Sequence, residues 1–201
     1  TLMRSSAASD VYKRQGYAYE VIKNFSVSAT FKYLFSDMGR IGNSRGASSV
    51  AFDLGVLYKC GINDWEGAGW SVGLHVSNLG PKINYLTSKD ALPATVKVGG
   101  AADLPFLQMH KLTLTADLGY RLSPADVQAL SVSAGAEYAW RELVMLRGGY
   151  HCGDKKKGDA SYATAGAGVE YAGVRLDFAW LFAGHEYLAR NTFWVSLGYS
   201  F

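Results

Sequence analysis

Apolar residues recur at every second position over most of this chain. Over residues 191–201, Phe193, Val195, Leu197, Tyr199 and Phe201 alternate with Thr192, Trp194, Ser196, Gly198 and Ser200. Upstream, Phe25, Val27, Ala29, Phe31, Tyr33 and Phe35 alternate with Ser26, Ser28, Thr30 and Lys32. Leu112, Leu114, Ala116, Leu118 and Tyr120 likewise oppose Lys111, Thr113, Thr115, Asp117 and Arg121. Successive side chains of a strand point to opposite faces, so each such stretch predicts a strand with one greasy and one polar face. The pattern predicts about eleven strands and no helix. The last of them is roughly as long as a tilted strand needs to be to cross a bilayer, about 9–11 residues, and ends on an aromatic residue, as a closing strand of a transmembrane barrel does.

The connections carry a second pattern. Counted back from Phe201, they fall at residues 183–190, 172–173, 153–160, 141–142, 123–129, 105–109, 78–93, 61–67, 37–49 and 23–24. They alternate long and short, and each long one exceeds both of its neighbours. A barrel in an outer membrane has short turns on the periplasmic side and longer loops outside; a soluble sandwich has no reason to obey that parity. The expected fold is therefore all-β, an antiparallel up-and-down transmembrane β-barrel. The last strand would run from the outside at Asn191 to the periplasm at Phe201. Cys60 and Cys152 then fall at opposite rims of an apolar band about 25 Å tall. A disulfide needs Cα atoms within about 7 Å, so two free thiols are expected.

Composition agrees with this reading. Hydrophobic residues make up 49% of the chain and charged residues only 18%, with 23 Gly and 13 Tyr. A barrel whose two faces average out has such a composition, and its strands never show as hydropathy peaks. A net charge of +3, scattered along the chain, gives no argument for nucleic acid. The charges share the polar face: Asp53, Asp103, Asp117, Glu137, Glu170 and Asp177 with Lys32, Lys97, Lys111, Arg121, Arg147 and Arg175. Facing lipid they would cost a few kcal/mol each; facing the lumen they can pair across strands. A lumenal charge network of Asp53, Lys97, Asp117, Arg121, Glu137, Arg147, Glu170, Arg175 and Asp177 is expected.

Signals for chemistry are sparse. His185-Glu186 opens like a zinc-protease motif, but the run HEYLA lacks the second His. The histidines have no metal-ligand spacing, and no G-x-S-x-G elbow occurs. No catalytic residue, cofactor or metal is expected, and no enzyme. Lys155, Lys156 and Lys157 form a basic run. Such a run is ordinarily a solvated loop tip, with lipopolysaccharide phosphates or acidic partners as the alternative.

Residues 1–15 stand apart. SSAASDVYKRQ, residues 5–15, back-translates to the transposase adaptor of sequencing libraries, read in frame. This stretch is set aside as an adaptor artefact. Residues 16–201 are expected to be the C-terminal part of the barrel, here an incomplete fragment of about eleven strands.

Several stretches resemble one family in order and spacing. They are Phe52-Asp53-Leu54-Gly55, Ser77-Asn78-Leu79-Gly80-Pro81-Lys82-Ile83-Asn84-Tyr85, and Leu92-Pro93 leading to Val96-Lys97-Val98-Gly99. Gly135-Ala136-Glu137-Tyr138, Leu146-Arg147-Gly148-Gly149-Tyr150 and Leu176-Asp177-Phe178-Ala179-Trp180 follow. The chain resembles the PorV/PorQ family, related to FadL-type barrels. It is nearer PorV through Lys157-Gly158-Asp159 and Ala189-Arg190-Asn191-Thr192. The resemblance implies a bacterial outer-membrane barrel of about fourteen strands in the type IX secretion system of Bacteroidetes-type bacteria. Such a protein would bind the C-terminal domain of secreted cargo at the translocon and pass the cargo to the surface sortase. Its surroundings would be the bilayer and lipopolysaccharide. Alternative readings are a FadL-like channel for hydrophobic small molecules or a general porin. Within the longest loop, Lys82, Ile83, Asn84, Tyr85 and Leu86 are the expected partner-binding residues. Ile83, Tyr85 and Leu86 are more apolar than a purely solvated loop requires, so they would either dock a partner or pack over the barrel mouth.

Overall fold

A computed structural model describes residues 9–37, 47–81, 83–84, 89–184 and 192–200. Its strands in chain order are β1 (Ser9–Ile22), β2 (Phe25–Asp37), β3 (Ala47–Gly61), β4 (Gly69–Leu79), β5 (Ile83–Asn84), β6 (Lys89–Asp90) and β7 (Thr95–Phe106). They continue with β8 (His110–Arg121), β9 (Leu130–Trp140), β10 (Val144–Cys152), β11 (Tyr162–Tyr171), β12 (Val174–Ala183) and β13 (Phe193–Tyr199). All but β5 and β6 form one 11-stranded sheet, in which each strand pairs with its neighbour in sequence. Every pairing is antiparallel. The expected up-and-down meander is the observed fold. Residues 9–15 lie in β1, where Ser9 to Gln15 pair with Asp37 to Phe31. A ladder of backbone hydrogen bonds asks only for extended chain, whatever the origin of its residues.

The sheet has almost no apolar core. Among the described residues the buried hydrophobic ones are Ala51, Ala68, Leu92, Ala129, Ala139, Met145 and Leu181, and no large side chain is fully buried. The large hydrophobic residues lie outside: Leu176, Phe178, Trp180 and Phe182 of β12 are all exposed, as are Phe193, Val195 and Leu197 of β13. Arg175, Asp177 and Ala179 between them are shielded. A soluble sandwich would bury the greasy faces of its strands against each other, some 10 Å apart. Here those faces point outward and the small and charged ones inward, as lipid requires.

The two ends of the sheet differ. At one end the strands are joined by residues 23–24, 62–68, 107–109, 141–143 and 172–173. At the other end they are joined by residues 38–46, 80–94, 122–129, 153–161 and 184–192, each longer than any connection at the first. The tight turns place pairs of residues at positive φ: Leu107 and Gln108, Arg141 and Glu142, Ala172 and Gly173. Turns of that hand match the twist of the strands they join. The loop end carries features that period-two reading does not show, among them a 3-10 turn at Ala125–Val127. Residues 155–157 form another 3-10 turn, and β5 and β6 pair as a small hairpin inside the longest loop. Cys60 at the turn end of β3 and Cys152 at the loop end of β10 are both free.

Candidate functional site

The most buried charge among the described residues, Asp53, sits where the longest loop leaves the sheet. β4 bulges there: Phe52 pairs with Leu79 but Leu54 with Val76, so Asp53 faces both Ser77 and Asn78. Asn78 takes a positive φ of 57°, a conformation that Asn tolerates better than most residues. Its N–H donates to Asp53 Oδ1 at 2.8 Å. Its side-chain Oδ1 accepts from Lys32 Nζ at 2.9 Å, and its Nδ2 donates to the Pro93 carbonyl at 3.1 Å. Lys32 closes the set on Asp53 Oδ2 at 2.6 Å, with side chains 12% and 3% exposed. Both roots of the loop are thereby tied to β2 and β3.

Gly80 completes the attachment. A Cβ there would stand 2.8 Å from Leu92 Cδ1, 3.3 Å from Ala51 Cα and within overlap distance of the Val50 carbonyl. The loop base therefore lies flat on β3, and Leu92 and Ala51 are buried there. Of the expected partner-binding residues, Ile83 and Asn84 form β5, opposite Asp90 and Lys89. Lys82, Tyr85 and Leu86 lie outside the described residues.

The expected charge network resolves into separate groups. Glu137, Arg147, Glu170, Arg175 and Asp177 come together. Arg147 of β10 contacts Glu137 of β9, its direct partner in register. It also reaches across β11 to Asp177 of β12. Asp177 in turn holds Arg175 at 2.8 Å, and Arg175 approaches Glu170 at 3.6 Å. The reach across β11 depends on a missing side chain. A Cβ on Gly168 would meet Asp177 Oδ1 at 2.5 Å and Arg147 Nη1 at 3.2 Å.

Asp53 belongs to the loop clamp instead. Lys97 and Asp117 form no ion pair among the described residues. They line, with His75, a cavity of about 570 Å³ on the inner face of β1–β4, β7 and β8. Its floor is small: Gly55, Gly73, Gly99, Ala101, Ser28 and Ser71. Arg121 leaves the carboxylates altogether, donating through Nη1 to the Lys157 carbonyl at 3.3 Å. A pair absent from the expected network, Lys111 with Asp103, stands at 3.1 Å.

The loop joining β10 and β11 is also fixed. His151 Nε2 meets Asp159 Oδ1 at 3.1 Å, and its Nδ1 shares a hydrogen bond with Ser133 Oγ at 3.0 Å. The ring stacks on Tyr162 at 4.8 Å between centroids. No group of three or more His, Cys, Asp or Glu able to hold a metal occurs among the described residues.

Sequence reasoning placed Asp53 and Lys32 on one face without pairing them, quoted Asn78 and Gly80 only within a family stretch, and gave Gly168 no role. The usable signal was Asn-x-Gly placed just after an alternating strand, with an Asp on the neighbouring strand's polar face. Pairing across the bulge, which decides it, cannot be read from one strand.

Residues 8–128 match the family described as type IX secretion system protein PorV. The chain belongs to the PorV family. The match includes the clamp residues Lys32, Asp53 and Asn78, Gly80 and the whole of the longest loop. It begins within the stretch set aside on sequence grounds. No curated protein matches the chain. PorV proteins are outer-membrane components of type IX secretion, and the all-β sheet, with its greasy face outward, is consistent with such a barrel. No helix among the described residues is long and apolar enough to cross a membrane.

Proposed function

We propose that this PorV-family chain serves in the bacterial outer membrane as a secretion shuttle. On this reading it binds the C-terminal domain of secreted cargo at its loop end and passes the cargo from translocon to sortase. The observation that carries the proposal is the buried Lys32–Asp53–Asn78 clamp at the root of the longest loop. A loop that served only to connect strands would need no buried ion pair beneath it. Fixing both roots lowers the entropy lost when the tip binds a partner. Residues 82–86 at that tip are the proposed contact, with Ile83 and Tyr85 as apolar anchors. Strand addition onto the β5–β6 hairpin is one physical mode open to a β-rich partner. Residues 16–201 supply every residue used in this mechanism.

The inner-face cavity favours a second reading, a channel for hydrophobic small molecules. Its Gly and Ala floor leaves space, but Lys97, His75 and Asp117 at its wall disfavour a greasy conduit. Deletion of residues 82–88 in the intact secretion system separates the two. The shuttle reading expects cargo to be lost from the cell surface while the barrel still assembles. Normal surface cargo, with impaired uptake of a hydrophobic compound, would favour the channel.

A further inference from the structure

The basic run at residues 155–157 has no part in the loop clamp or in the ion-pair groups. It is nonetheless held by hydrogen bonds of its own. The three lysines occupy a 3-10 turn capped at both ends. The Asp154 side chain accepts from Lys156 N–H at 3.0 Å, and Gly158 takes the left-handed conformation at the other end, with φ 76°. Asp159 N–H and Lys157 N–H both donate to the Asp154 carbonyl. Gly153 and Ser161 bond each other across the base of the loop.

Both acids of the loop are already engaged. Asp154 caps the turn and Asp159 holds His151. All three lysines are exposed and form no ion pair among the described residues. Successive side chains of a 3-10 turn fan about 120° apart, so two of the three flank a chain arriving from almost any side. The turn is placed over the barrel mouth rather than toward lipid. Arg121, on the inner face of β8, binds the Lys157 carbonyl, so the loop reaches across β9 above the lumenal face and brings a further cation beneath the turn.

We infer that Lys155, Lys156 and Lys157 form a pre-ordered cationic knuckle that docks an acidic polypeptide segment at the barrel mouth. The inference deepens the shuttle reading and rests on it for the partner being a polypeptide. Position argues the same way: anionic lipid headgroups lie around the rim, whereas the knuckle leans inward.

The test uses the full chain in detergent micelles and a fluorescent oligoglutamate peptide, with binding followed by anisotropy. Replacing all three lysines by Gln should weaken binding roughly tenfold, from several exposed charge pairs acting together. Raising NaCl from about 0.05 M to about 0.5 M should do much the same to the unaltered protein. Asp159→Asn keeps every lysine but loosens the base of the loop, and should weaken binding by a smaller factor. Lys23→Gln with Lys59→Gln removes two charges at the opposite end and should change nothing. Equal binding by the triple Gln variant, or equal loss in the Lys23/Lys59 control, overturns the inference. So does binding to phosphatidylglycerol vesicles in place of the peptide. In cells, the triple Gln variant should slow delivery of cargo to the surface. Normal delivery by that variant, with delivery still abolished by loss of residues 82–88, would overturn the knuckle and leave the shuttle. Normal delivery after loss of residues 82–88 would instead overturn the shuttle reading, with peptide binding to the knuckle measured independently of it.

Discussion

A methyl group placed on Gly168 tests the ion-pair group on the inner face. Arg147 crosses β11 to reach Asp177 only because β11 presents no side chain at Gly168. The added Cβ would sit 2.5 Å from Asp177 Oδ1 and 3.2 Å from Arg147 Nη1, so the pair must part or the strand must shift. Arg147 and Asp177 are 28% and 23% exposed, which puts their pairing between a surface bridge and a buried one. With water reaching the open inner face, the loss is about 1–2 kcal/mol. Against it stands the usual gain of about 0.5–1 kcal/mol when Ala replaces Gly in a strand. Gly148 supplies the control: it lies on the adjacent strand, points outward, and has nothing within 4 Å of its Cβ position. Gly148→Ala should therefore be neutral or slightly stabilising, and Gly168→Ala destabilising by about 1 kcal/mol net. Urea unfolding in micelles, followed by tryptophan fluorescence, reads both. In an Asp177→Asn background, Gly168→Ala should cost less, since the pair it breaks is already weakened. If Gly168→Ala matched Gly148→Ala in both backgrounds, the reasoning would be refuted.

Other consequences follow from the same geometry. Asp53→Ala strands the nearly buried Lys32 ammonium and the Asn78 N–H together and should cost about 3 kcal/mol; urea midpoints measure it, and a cost below that of an exposed pair would contradict the clamp. Gly80→Ala should lift the loop base off β3, seen as faster tryptic cleavage at Lys82 and Lys89 with the sheet intact. Glu142→Gly relieves a positive φ of 57° worth about 1 kcal/mol, part of which the freer unfolded chain takes back; a small rise in the urea midpoint is expected, and a fall would be evidence against the assigned turn. Electrophoretic mobility of the unfolded chain should be the same with and without reductant, since Cys60 and Cys152 stand at opposite ends of the sheet.

Period two made the strands legible. Leu176, Phe178, Trp180 and Phe182 of β12 sit outward as alternation requires, with Leu181 buried on the other face, and a single misplaced strand would have inverted a whole face. Loop-length parity was equally legible, because it needs only strand boundaries. What could not be read depends on neighbours that only register supplies. Lys97 and Asp117 share the inner face, yet they come to line a cavity rather than to pair. Arg121 shares that face too, yet it meets a loop carbonyl. Arg147 finds Asp177 two strands away because Gly168 leaves a gap, and a gap has no signature in a strand where Gly and Ala already abound. Asn78 looked like the first residue of a loop; the bulge opposite Asp53 keeps it within the sheet, one residue before β4 ends at Leu79, and makes it the hinge of the clamp.

The central claim is that the sheet spans a membrane with its long loops on the outer side. In a chain with both cysteines replaced by Ser, Lys156→Cys places one thiol on the knuckle, and Asp64→Cys places one in the turn-end connection of residues 62–68. A membrane-impermeant maleimide added to intact cells should label Lys156→Cys and leave Asp64→Cys unlabelled until the outer membrane is opened. Labelling of Asp64→Cys in intact cells, with or without Lys156→Cys, would contradict the account.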